Sequence, residues 1–291
     1  MNFLKKLGCA AAVTVAMAGS ANADTVMNDW VFNPAGTGFA NGVTIGEYLD
    51  ITGNAFIQLS AGSSAGSFNF REHAVFAVPY GDNQQTGYFN QLNPRGNITA
   101  TFEASGTGTF GGAFSFTGGT IKMYQSDTNQ FTSTNGIYGA NVGNLIAEFE
   151  VLPGGGGTVD ANGSPTNNGQ VSVTARAVEG GLAAGYFFRG NGNDLSMESV
   201  LSFAFTNANT LATPRGNLVS EVACQFAGFS GPGCGSGSYA NAPGQYFFVG
   251  NNGQFKLGEQ LAEVPEPGSL ALFGIAMLGA GVISRKRAKK A

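Results

Sequence analysis

Between residues 24 and 263 apolar positions alternate with polar ones or come in short runs broken by glycine, asparagine, serine and threonine. Alternation sends successive side chains to opposite faces, the mark of a strand with one face buried. The clearest case is 66–78, where Phe68, Phe70, Glu72, Ala74, Phe76 and Val78 share one face and Asn69, Arg71 and His73 the other. Glu72 is the odd member of that apolar face. Further strands are expected at 25–33, which carries the single tryptophan Trp30, and at 54–60, 97–104, 107–117, 119–125, 145–152, 170–178, 186–189, 198–205, 218–226, 245–249 and 254–257. The stretch 153–169, with four glycines from Gly154 to Gly157 and then Asn162-Gly163-Ser164-Pro165, reads as a long exposed hairpin loop. Short strands at turn-rich spacing predict an all-β body, sandwich or barrel-like, and the expected architecture is an antiparallel β-sandwich of jelly-roll type. About 240 residues suffice for one core, so length alone does not demand two domains.

The two ends follow other rules. Lys5 and Lys6, the apolar run 7–18 and Ala21-Asn22-Ala23 have the three parts of a signal peptide, 1–23, cut between Ala23 and Asp24. At the other end Val264-Pro265-Glu266-Pro267 precedes an apolar run, 268–283, and a basic tail, 285–290, that holds Arg285, Lys286, Arg287, Lys289 and Lys290. As a helix those 16 apolar residues cover roughly 24 Å, somewhat short of a ~30 Å hydrocarbon core, so a span would need local thinning of the bilayer. The basic tail orients such a helix with its C-terminus in the cytoplasm. The expected organisation is therefore signal peptide, secreted body at 24–263 and membrane-seeking tail at 264–291.

Charge and cysteine usage sharpen this reading. The whole chain has 14 basic and 18 acidic residues, a net charge of −4; trimming both ends removes seven basic residues and Glu266, leaving 7 against 17 and a net charge of −10. A body that acidic has no basic cluster with which to neutralise phosphates, which argues against nucleic acid as a partner. Of three cysteines Cys9 leaves with the signal peptide, and Cys224 and Cys234 remain around a Gly-Pro-Gly turn. In an oxidising compartment they are expected to form a disulfide.

Candidate chemistry is sparse. With His73 as the single histidine, a cage of several imidazoles is excluded, and no Gly-x-Ser-x-Gly nucleophile elbow occurs. No catalytic residue, metal site or cofactor is expected. Glu148 and Glu150 read as one solvated strand face, and Asp160-Ala161-Asn162-Gly163 and Asn191-Gly192-Asn193-Asp194 as turns. Carbohydrate binding would announce itself by aromatic rings on an exposed sheet face, and Tyr186-Phe187-Phe188 and Tyr246-Phe247-Phe248 are the runs that could supply some of them.

Pro265-Glu266-Pro267, the short apolar run and the terminal Arg/Lys cluster together resemble the PEP-CTERM sorting signal of Gram-negative bacteria. That resemblance implies recognition and processing by an exosortase, a transient stay in the inner membrane, and delivery to the cell surface or extracellular matrix. In the body, 28–36 (Asn-Asp-Trp-Val-Phe-Asn-Pro-Ala-Gly), 46–50 (Gly-Glu-Tyr-Leu-Asp) and 70–76 (Phe-Arg-Glu-His-Ala-Val-Phe) look like the flocculation-associated PEP-CTERM proteins. This second resemblance implies a non-enzymatic part in flocculation or biofilm, with exopolysaccharide as the partner. A secreted carbohydrate-binding or carbohydrate-acting domain is the alternative.

Overall fold

A computed structural model describes residues 25–83, 88–166, 169–235 and 237–259. The expected signal peptide, with Ala21, Ala23 and Asp24, lies outside the described residues, as does the C-terminal segment with Val264, Pro265, Glu266, Pro267, Arg285, Lys286 and Arg287. In chain order the strands are Thr25–Val26 (β1), Trp30–Phe32 (β2), Val43–Ile45 (β3), Tyr48–Ala61 (β4), Ser67–Ala77 (β5), Asn97–Thr109 (β6) and Ala113–Ser126 (β7). Then follow Asn144–Val151 (β8), Gly154–Thr158 (β9), Gly169–Leu182 (β10), Phe187–Phe188 (β11), Val200–Thr210 (β12) and Tyr246–Glu259 (β13).

Strands β4, β5, β6, β7, β8, β10, β12 and β13 pair antiparallel in that order, and β13 pairs back onto β4 from Tyr246↔Gln58 to Lys256↔Tyr48. The wall is thus a closed eight-stranded antiparallel barrel, which corrects the expected sandwich or jelly roll. The difference lies in strand length. β4, β7, β10 and β13 run 14 residues each, where the sequence suggested shorter pieces, and long twisted strands can tilt and close on themselves, leaving no open edge. Gly250-Asn251-Asn252-Gly253, a turn on its face, instead joins the expected strands 245–249 and 254–257 into one. A Cβ on Gly253 would stand 2.0 Å from the Phe205 carbonyl oxygen, so the glycine there allows close strand approach.

Three other expectations change. The turn 110–112 cuts the expected strand 107–117 in two. The expected loop 153–169 contains β9, which lies between β7 and β10, with Phe114 paired to Gly157 and Ser172 to Gly156. Gly156 has φ +103°, and a Cβ there would sit 1.9 Å from the Phe114 carbonyl oxygen, so the run of glycines marks a crowded strand. The expected strand 218–226 is helical: Gly216–Leu218 as a short α turn, then Val219–Phe226 in π geometry. Buried Val219, Val222 and Ala223 and half-buried Phe226 lie at i, i+3, i+4 and i+7, a helix face written in residues that also favour strands.

Inside the barrel the lumen is filled with apolar side chains, among them Phe68, Phe70, Phe76, Phe102, Phe116, Phe149 and Phe255. The small sheet of β11, β2 and β3 packs Trp30, Phe32 and Phe187 into the same core, with Trp30 and Phe187 stacked at 6.4 Å. Outward positions are mostly Thr, Asn, Ser, Gln and charged residues, the inverse of a membrane-spanning barrel. No described helix is long and apolar enough to cross a membrane. Phe56, Val75 and Phe248 break the polar pattern of the wall, and a second apolar cluster formed with Tyr138, Val219, Val222, Phe229 and Tyr239 covers them. Cys224 and Cys234, joined by a disulfide with Cα atoms 5.4 Å apart, tie that covering layer together.

Candidate functional site

Strand register across β4, β13, β12 and β10 sets outward side chains in two parallel rows. One row is Asp50, Gln254, Phe205 and Ser172; the next is Thr52, Asn252, Asn207 and Gln170. Each row crosses three interstrand gaps, roughly 14 Å. The segment after β5 forms one flank: Asp50 N–H donates to the Tyr80 carbonyl at 2.9 Å, Asp82 N–H to that of Tyr48 at 3.0 Å, and Phe89 N–H to that of Pro79 at 2.9 Å. Asp82 in turn accepts the Gly46 and Glu47 N–H groups at 2.7 and 2.6 Å. Buried Phe89, edge-on to Phe32 at 5.3 Å, holds the segment down and leaves Tyr80 and Tyr88 in solvent, edge to face at 5.4 Å. The result is a groove of about 1050 Å³ lined by both rows and both tyrosines.

Its lining combines exposed rings with amide and hydroxyl side chains. Tyr80, Tyr88 and Phe205 are 37%, 50% and 48% exposed, which is unusual for rings on a wall otherwise polar. Four amide side chains, Gln170, Asn207, Asn252 and Gln254, offer both donors and acceptors. Partial burial, and then the Asp82 charge, raise the Asp50 carboxyl above its usual value, and Asp50 in turn raises the Tyr80 phenol. Asp50 is the sole charged side chain among the described lining residues. Lys256, one step along β13, is held by Glu47 and lies over the Phe205 ring at 5.6 Å.

The aromatic runs expected to form a platform do not line this groove. Phe187, Phe188, Phe247 and Phe248 are buried, while Tyr186 and Tyr246 are half-buried against the two cores. They alternate across sheets whose faces are both covered, so neither side reaches a ligand. The rings that do reach solvent, Tyr80, Tyr88 and Phe205, come from separate places in the sequence. A usable signal was present in β12, where Phe203 and Phe205 share the phase of Asn207, opposite to Ala204, Thr206 and Ala208.

The other candidates resolve into structural roles. His73 Nε2 stands 3.8 Å from Glu103, and the ring lies edge-on to Phe226 at 5.0 Å; burial, then Arg71, lower its pKa, so at neutral pH the imidazole is uncharged and that contact is no ion pair. Glu148 pairs with Lys122 at 3.4 Å and Glu150 with Arg176 at 3.6 Å, a charge ladder on the outer wall. Asp160 accepts the Asn162 and Ser164 N–H groups at 2.8 and 3.0 Å, and Asp194 those of Gly185 and Ser196 at 2.8 and 2.9 Å. These are turns tied by their own carboxylates. Among the described residues no three of His, Cys, Asp and Glu are gathered in a way that would hold a metal ion.

Glu72 is the exception inside the barrel. It projects into the lumen beside two cavities of about 50 and 40 Å³, both also lined by Val171, Thr206 and Asn251. Burial pushes its carboxyl up to about 7. The buried Asn251 Oδ1 has no hydrogen-bond partner.

Fold and groove together define a polar-walled up-and-down β-barrel with an aromatic-bearing groove on its outer face. Residues 263–287 match the family model of the PEP-CTERM protein-sorting motif. That motif implies exosortase-dependent sorting of the chain to the cell surface or extracellular space. No curated protein and no solved structure matches the chain.

Proposed function

We propose that the sorted body is a non-catalytic matrix protein that promotes flocculation or biofilm formation by associating with exopolysaccharide. The observation that carries this reading is the groove, where three exposed rings and two rows of amide and hydroxyl side chains share one face of the barrel. Sugar rings stack their C–H faces on aromatic rings and exchange hydrogen bonds with amides, so such a surface suits a hydrated glycan. A shallow groove of this kind gives weak single contacts. Many copies on one polymer chain convert weak contacts into firm retention.

The test is co-sedimentation of the exported protein with the producing cells' own polymer. A variant with Tyr80, Tyr88 and Phe205 all changed to Ala is expected to stay in the supernatant while remaining folded. Cells lacking the gene are expected to disperse while still making polymer. Retention of the triple variant at the parent's level, or release of new reducing ends from the polymer by the parent protein, would refute the reading.

A further inference from the structure

Charge in the groove bears on which glycan is taken, a question that rests on the glycan-binding reading above. Asp50 has neither hydrogen bond nor ion pair to its carboxylate among the described residues, and it lies two strands from Phe205 in the same row, roughly 10 Å across the wall. The nearest cation along β13, Lys256, is held by Glu47. Around the groove the body carries 7 basic against 17 acidic residues between 24 and 263, so the long-range field attracts cations and repels anions. An acidic polymer would bring its carboxylates to a groove whose described lining holds no arginine or lysine, and whose bordering Lys256, over the Phe205 ring, is already paired with Glu47.

We propose that the groove selects a polysaccharide bearing free amino groups, with a sugar ring on Phe205 and an ammonium group against the Asp50 carboxylate. The amides of Gln254, Asn252 and Asn207 then meet ring hydroxyls along the two rows. Tyr80, beside Asp50, adds a ring face that favours the same cation. Burial and the neighbouring Asp82 make the lone Asp50 charge costly, and an ammonium partner relieves that cost.

Calorimetric titration of the exported protein at about pH 6 with three short oligosaccharides separates the possibilities: a glucosamine oligomer, the same oligomer fully N-acetylated, and a uronic-acid oligomer of like length. The expected order is glucosamine tightest, by roughly fivefold over its acetylated form, with the uronic oligomer weakest. Raising the salt to about 0.5 M should erase the preference while leaving the acetylated oligomer bound. Asp50→Asn should bind the first two alike, with thermal unfolding no lower than the parent's, since the substitution removes a charge that burial and Asp82 disfavour. Equal binding of the acetylated and free-amine oligomers by the parent protein overturns this proposal and leaves the glycan reading standing. Binding of none of the three overturns both, and the salt series needs no variant to fold.

Discussion

Replacing Glu72 with Gln should change how stability depends on pH. The carboxyl is enclosed in the barrel, and burial, with no charged or hydrogen-bonding neighbour contributing among the described residues, raises its pKa from 4.5 to about 7. Between those values the folded protein keeps a proton that the unfolded chain has released, so stability falls as pH rises through this window. Two and a half units at about 1.4 kcal/mol each give about 3 kcal/mol, present in full below pH 4.5 and lost above about 7. Glu72→Gln keeps the shape and cannot ionise. The assay is urea unfolding at half-unit steps from pH 4 to 8, followed by the fluorescence of Trp30, which is fully buried in the same core. The parent should lose about 3 kcal/mol relative to the variant across the series, with the variant the more stable above pH 7. His73, whose pKa is lowered, opposes this trend by removing stability as pH falls below 6.5, but it titrates in both proteins and cancels in the difference. Parallel curves for parent and variant would refute the placement of an unpaired carboxyl in the lumen.

Other consequences are more local. Reducing the Cys224–Cys234 bridge leaves the barrel wall closed but frees a loop of 10 residues' separation in the covering layer, and should cost about 3 kcal/mol by urea unfolding in the chain-entropy account. Gly156→Ala should destabilise by about 2 kcal/mol or more, because its φ of +103° and the Phe114 carbonyl both reject a side chain; Gly111→Ala, strained but with open space around it, should cost less. Arg189→Met removes the hydrogen-bonded ion pairs to Glu198 and Glu259 that tie the segment after β11 to β13, and should lower stability by about 1–2 kcal/mol in a thermal melt. Phe205→Ala alone should weaken oligosaccharide binding by roughly fivefold with little effect on unfolding, since the ring is half exposed.

The period-2 faces were plain in the sequence, and 66–78 is the best example: Phe68, Phe70, Glu72 and Phe76 do face one way, into the lumen. What the alternation could not give was which strand closes on which. Closure depends on the pairing of β13 with β4, nearly two hundred residues apart, and no local pattern encodes it. In the sequence glycine looks like punctuation, although at Gly156 and Gly253 it marks contact between strands. The segment 218–226 shows the opposite conflict, because Val, Cys and Phe favour strands while their spacing fits a helix. The groove was hidden because its rings come from three separate places, and only register sets Asp50, Gln254 and Phe205 side by side. Adjacent aromatics drew attention instead, yet adjacency in a strand sends one ring to each face, and in this barrel both faces of β11 and of early β13 are covered.

The most direct measurement is a crystal structure of the exported protein soaked with an oligosaccharide prepared from the producing cells' own polymer. The account predicts sugar density along the row from Asp50 to Ser172, with one ring stacked on Phe205 and hydrogen bonds to Gln254, Asn252 and Asn207. Sugar bound elsewhere on the barrel, or a groove that stays free of sugar at saturating concentration, would contradict it.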